Sequence, residues 1–218
     1  MSSGESGGAV ESLLSHWNFD LDTVISLMLG ISLSAACGFR VFVPLLVMSA
    51  AAVIGHVDLP TEFDWIETNH ALILFAAASI LEVGGYYIPW LDHALDVLST
   101  PAAILAGTLV TAAATGSDMS PLVQWTTALL AGGGAAGLTK GMSNIMRVIS
   151  TAISGGLTNP VIATIELIAA VVLALLAVTV PVVAIVLVIG LWIFAIQRIR
   201  RFFVRNRSES QPAEGIAP

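Results

Sequence analysis

The sequence predicts an all-α, polytopic helical membrane protein. Three observations carry that prediction. First, of 218 residues 56% are hydrophobic and only 11% charged, against about 25% charged in an average soluble domain. Second, mean hydropathy is +0.91. Third, the apolar residues fall in long unbroken runs, not in the short alternating segments that a membrane barrel requires. The spans are therefore helices, whose backbone groups bond within the segment. The length suits one bundle with no separate soluble domain.

Taken in order, residues 1–20 are a tail in which Val10, Leu13, Leu14 and Trp17 recur at helical spacing, the pattern of a short interfacial helix. No basic stretch precedes an apolar core there, so no cleaved signal peptide is expected. The apolar run Leu21–Val57 exceeds the roughly 20 residues of one crossing. It is two spans, or a span plus a re-entrant piece, broken around Gly38 and Pro44. An acidic loop follows, with Asp58, Glu62, Asp64 and Glu67. Ala71–Ile88 is the next span and contains Glu82. PWLDHALD is a short amphipathic connector, and Leu95–Ala114 is a span interrupted at Pro101. Residues 21–114 thus form a first membrane half.

The second half, 115–203, opens with the loop TGSDMSP and the glycine-rich Leu122–Leu138. KGMSNIMRVISTAISGG carries Lys140 and Arg147. Pro160–Val178 is a span containing Glu166, and a proline, Pro181, opens the last span, which ends near Ile196. Residues 204–218 are polar and expected to be a disordered tail. A shift of 100 residues lays Arg40 on Lys140, and a shift of 84 lays Glu82 on Glu166. Each half then reads as a broken basic segment, a span with a glutamate and a span with a proline. Two pseudo-symmetric halves with broken or re-entrant helices are the expected architecture, as in secondary transporters. Equivalent halves imply an even number of crossings. The bases gather in QRIRRFFVRNR, so the C-terminus is expected in the cytoplasm, and with an even number the N-terminus too.

The candidate site residues are the charges inside the apolar runs. Arg40 cannot lose its proton, and a guanidinium deep in a bilayer costs from about 2.5 to more than 10 kcal/mol. It must face protein, water or ligand. Arg40, Lys140 and Asn144 are candidate substrate-binding residues for an anionic group. The plainer alternative gives Arg40 an internal salt bridge and leaves Lys140 and Arg147 snorkelling at an interface. Glu82 and Glu166 are candidates for proton coupling, since carboxyl groups in a dry interior suit proton exchange near neutral pH; each could instead pair with a nearby base. Asp92 and Asp96 share one helix face. They either add to the polar site or favour the first turn of a helix through its dipole. Ser143 and Asn144 offer neutral hydrogen bonds.

Other chemistry is excluded. AGGGAAG lacks the lysine and serine/threonine of a nucleotide loop and fits close helix packing. The four histidines show no ligand spacing. Cys37 is the only cysteine, which leaves no disulfide or cysteine metal site and suits apolar packing. No nucleophile–base pair is visible. No enzyme activity, metal, cofactor or nucleic acid is expected.

GISLSAACGFRVFVPLL, the glutamate span, IPWLDHALDVLSTPAAILAG and the proline-centred terminal hairpin together resemble a bacterial integral membrane family, domain of unknown function 4126. The resemblance spans about Leu21 to Phe203. It implies a small inner-membrane protein and supplies no functional residues. The expectation is a transporter or channel-like protein for an anionic solute or lipid headgroup, with proton coupling. The competing expectation is a membrane scaffold or accessory subunit whose buried charges fix helix register.

Overall fold

Small side chains decide where these helices meet. The computed structural model describes residues 21–115, 119–155 and 157–209, without the side chains of 89, 90, 92, 93 and 202–209. The interfacial helix expected in 1–20, the side chain of Asp92 and the tail beyond Glu209 lie outside the described residues. Within them all regular structure is helical.

Helix α1 (Leu21–Cys37) is the centre. Gly30, Ser32, Ser34, Ala35, Ala36 and Cys37 are buried along it, and it touches α4, α6, α7 and α8, defined below. Thr111 Oγ1 donates to Gly30 O at 3.0 Å, and Ser34 Oγ donates to Gly132 O. A Cβ added to Gly132 would stand 2.6 Å from Gly107 O. Close backbone approach replaces the hydrophobic drive that lipid tails do not provide. The stretch AGGGAAG is thus a packing surface.

At residues 38–41 the chain reverses. Gly38 is required there, because a Cβ would stand 2.5 Å from Thr139 Cβ and 2.6 Å from Ala136 O. Helix α2 (Phe42–Val53) runs back beside α1. Ser49 Oγ donates to Ile66 O at 2.6 Å, inside a 3-10 helix at Thr61–Glu67. Phe63 of that 3-10 helix lies 6.2 Å from the ring of Trp125. Next to Trp125, Gln124 Nε2 donates to Ala112 O at 2.9 Å. These contacts put the acidic loop at the end of the bundle where Thr111 meets Gly30. Helices α1 and α2 therefore form a re-entrant hairpin that enters and leaves by one end, and Arg40 sits at its tip.

Helix α3 (Asn69–Gly85) leaves the acidic end, bent 63° from the 3-10 helix. Thr68 caps it, its Oγ1 accepting from Ala71 N at 3.2 Å. Helix α4 (Pro89–Ala114) returns. Helix α5 (Pro121–Thr127), a π-helical segment (Ala128–Gly133) and α6 (Gly134–Ser154) make the next pass. Helices α7 (Asn159–Thr179) and α8 (Pro181–Glu209) complete the bundle. Stretches of α4, α7 and α8 are long and apolar enough to cross a membrane, and the bent 3-10/α3 pair is a fourth if counted as one span. Isoleucines and leucines such as Ile73, Leu81, Leu98, Leu105 and Ile168 stay exposed on their outer faces.

Several sequence expectations need correction. Arg198 and Arg201 line a cleft with Ile153 and Ile162, so the basic end lies opposite the end where α1 starts. Pro44 is the third residue of α2 and breaks nothing, since first-turn amides have no intrahelical acceptor. Pro101 lies inside an uninterrupted α4. There the Ser99 and Thr100 hydroxyls bond to the Asp96 carbonyl at 3.2 and 3.4 Å, one residue before the Val97 carbonyl whose helical donor the proline removes. PWLDHALD is no separate connector but the first turns of α4. Lys140 stands in continuous helix, and the distortion near it is the π segment upstream. Helix α8 continues to Glu209, past the boundary at 203. The breaks at Gly38 and Pro181 hold.

Candidate functional site

Three helices deliver charge to one depth. Asp96, Glu166 and Arg147 each stand seven residues from a helix end at the basic face (89 to 96, 159 to 166, 147 to 154). Seven residues of helix span about 10 Å. The hairpin tip brings Arg40 to them from the other side of the bundle. Arg40, Lys140 and Arg147 are 1%, 1% and 3% exposed. The snorkelling alternative for Lys140 and Arg147 is thereby excluded.

Tyr86, just past the end of α3, is the hub. The guanidinium carbon of Arg40 lies 3.8 Å from its ring centroid, that of Arg147 4.8 Å and Lys140 Nζ 5.8 Å. All three fall within the roughly 6 Å over which a ring attracts a cation. Tyr86 is not among the candidate residues read from the sequence. Its one local signal was an aromatic residue a turn away from an intramembrane acid.

The acids divide the work. Glu166 accepts from Arg147 Nε at 3.2 Å, from Arg147 Nη2 and from Ser143 Oγ. Arg40 Nη2 is 3.9 Å from Glu166 Oε2 and donates to Ala163 O at 2.8 Å. Asp96 is partly exposed and pairs with Lys140 Nζ at 3.4 Å and Arg147 Nη1 at 3.8 Å. Lys140 Nζ also lies 3.5 Å from the Tyr86 hydroxyl. Glu82 is engaged differently. Its two oxygens accept from the amides of Val41 and Phe42 at 2.8 and 3.0 Å. A carboxylate from α3 thus caps the free N-terminus of α2, where amide donors and the helix dipole favour negative charge. Asn144 Nδ2 donates to Thr100 Oγ1 at 3.3 Å.

Among the described residues, two buried nitrogens of Arg40, Nε and Nη1, have no hydrogen-bond partner, and neither does Asn144 Oδ1. A buried charged donor without a partner is costly, so the tip holds unused capacity to bind an anion. A cleft of about 590 Å³, lined by Asp96, Thr100, Asn144 and Arg147 together with residues from the ends of α6 and α7, opens beside the cluster. The structure therefore joins Arg40, Lys140, Glu166 and Asp96, with Asn144 at the cleft and Glu82 beneath the tip. Among the described residues no group of His, Cys, Asp and Glu is arranged to hold a metal ion.

The hairpin tip with its arginine, the glutamate span, α4 and the proline between α7 and α8 all lie inside one matched region. The family described as domain of unknown function 4126 matches residues 27–201. The chain belongs to that family. No curated protein and no solved structure matches it. In this member of the 4126 family the charged cluster falls wholly within the matched region, and the acidic loop lies there too.

Proposed function

We propose that this protein binds an anionic group at Arg40 and carries it across the membrane, with Glu166 as the proton site. The observation that supports the reading is the buried Arg40 guanidinium with two unpartnered nitrogens. Glu166 is the carboxylate within ion-pair distance of that guanidinium, and it is shared with Arg147. An incoming anion competes with it. Protonating Glu166 removes the competing charge, so proton and anion favour each other and anion binding strengthens as pH falls. The Arg198–Arg201 end lies on the cytoplasmic side of an inner membrane under the positive-inside rule, which places the cleft on that side.

The test is flux in reconstituted phosphatidylcholine vesicles loaded in turn with inorganic phosphate, sulfate and a monocarboxylate. Efflux of at least one anion should be accelerated by an outward proton gradient (acidic lumen), lost in Arg40→Gln, and made independent of pH in Glu166→Gln. Efflux no faster than from empty vesicles for every anion sinks the transport reading.

A second reading has its own observation. The Arg147–Glu166–Ser143 group is saturated with hydrogen bonds, as a register-fixing device in a scaffold would be. Replacing Arg147 and Glu166 together by apolar residues then leaves a stable, functional protein.

A further inference from the structure

Resting on the reading of Arg40 as an anion site, we infer that the ligand is an anionic amphiphile whose alkyl chain lies in a lateral groove between α2, α3 and α4. The groove holds about 490 Å³ and is lined mainly by apolar residues, among them Phe42, Ala78, Leu81, Leu95, Leu98 and Ala102. That volume falls in the range of small-molecule sites, roughly 300–1,000 Å³. Its mouth lies among exposed apolar residues. Leu81 is 75% exposed and Leu98 65%, so the opening faces the bilayer and not water.

The polar wall decides the occupant. Tyr86 and Glu82 line the groove, and so does Val41, the residue after Arg40. Arg40 lies on the Tyr86 ring at 3.8 Å, with its unpartnered Nε and Nη1 buried. Arg40 does not itself line the groove, so the inferred ligand keeps its apolar tail there and passes a negatively charged head beyond Tyr86 to the guanidinium. Glu82 does not reverse that sign of charge. Its oxygens are held by the Val41 and Phe42 amides at the helix α2 N-terminus, and the opposing positive groups are Arg40 and Lys140. A free inorganic anion uses the head position alone and leaves the groove empty.

The experiment measures apparent affinity from thermal shift of the full-length protein in a neutral sugar detergent. The probes are inorganic phosphate, a short-chain and a long-chain alkyl phosphate, and a neutral glycoside with the same long chain. The variants are Arg40→Gln, Ala78→Trp to fill the groove, and Ala102→Leu as a milder filling change. Each probe's partition into micelles, which itself grows with chain length, is measured separately, and affinities are expressed against the free probe concentration. For the wild type, affinity should rise about fourfold for each methylene that the groove buries. Ala78→Trp should lose that chain-length dependence while keeping its response to inorganic phosphate, and Ala102→Leu should reduce it. Arg40→Gln should lose both responses. Inorganic phosphate and long-chain phosphate binding alike, with no effect of the groove variants, overturns the amphiphile and leaves the anion site standing. A long-chain neutral glycoside that binds as well as the phosphate also overturns it. Absence of any response to any anion overturns both readings. If Ala78→Trp fails to fold, Ala102→Leu carries the same comparison.

Discussion

Arg40 and Arg147 share one tyrosine ring and one glutamate, yet they are equipped differently. Arg147 reaches two carboxylates and makes paired hydrogen bonds to Glu166. Arg40 has one carbonyl at 2.8 Å, one carboxylate oxygen at 3.9 Å and two nitrogens without a partner. Both are buried to nearly the same degree. Burial alone therefore does not separate the two arginines; the saturation of their donors does. A saturated pair holds helices in register, and an unsaturated donor can accept a ligand.

The comparison can be broken by mutation. The largest effect is expected at Arg147. Arg147→Met strands Glu166 in the interior, and losing one partner of a buried pair costs about 3–5 kcal/mol, read as a fall in the unfolding midpoint in detergent. Gly38→Ala comes next. The added methyl meets Thr139 Cβ at 2.5 Å, and overpacking of this kind costs roughly 1–3 kcal/mol; the same unfolding measurement checks it. Arg40→Gln should cost less stability than Arg147→Met, about 1–2 kcal/mol, from one hydrogen bond and the ring contact. It should nevertheless abolish the response to anions. An Arg40→Gln protein as unstable as Arg147→Met, with unchanged anion response, would make the two arginines equivalent. The smallest effect belongs to Asp96→Asn. The Asp96 side chain is 28% exposed, so its pairs contribute within about 1 kcal/mol. The variant should fold like the wild type in circular dichroism and melting.

The sharpening experiment is the double replacement of Arg147 and Glu166 by Met and Leu. If the pair only fixes register, this protein should be more stable than Arg147→Met alone, because the Glu166 carboxylate is no longer stranded, although Arg40 loses its carboxylate at 3.9 Å. If Glu166 is also the proton site, anion binding should lose its pH dependence in the same protein.

Much of this was legible in the chain. A sequence that is 56% hydrophobic and interrupted by isolated charges can only fold as apolar helices that turn those charges inward. Arg40, Lys140, Glu82 and Glu166 were therefore identifiable as buried, and Gly38 and Pro181 as breaks. The order of acidic and basic segments was also fixed by residue type alone. Tertiary structure decided the rest. Pro44 and Pro101 look alike as breakers, but Pro44 falls in a first turn and Pro101 inside an uninterrupted helix. Tyr86 became the hub because two segments distant in sequence, the hairpin tip and α6, bring three cations to its ring. Glu82 became a cap, and Glu166 a partner, through contacts spanning about 40 and 20 residues of chain. A local pattern records which residues must leave lipid; only the packed bundle determines which partner each of them finds.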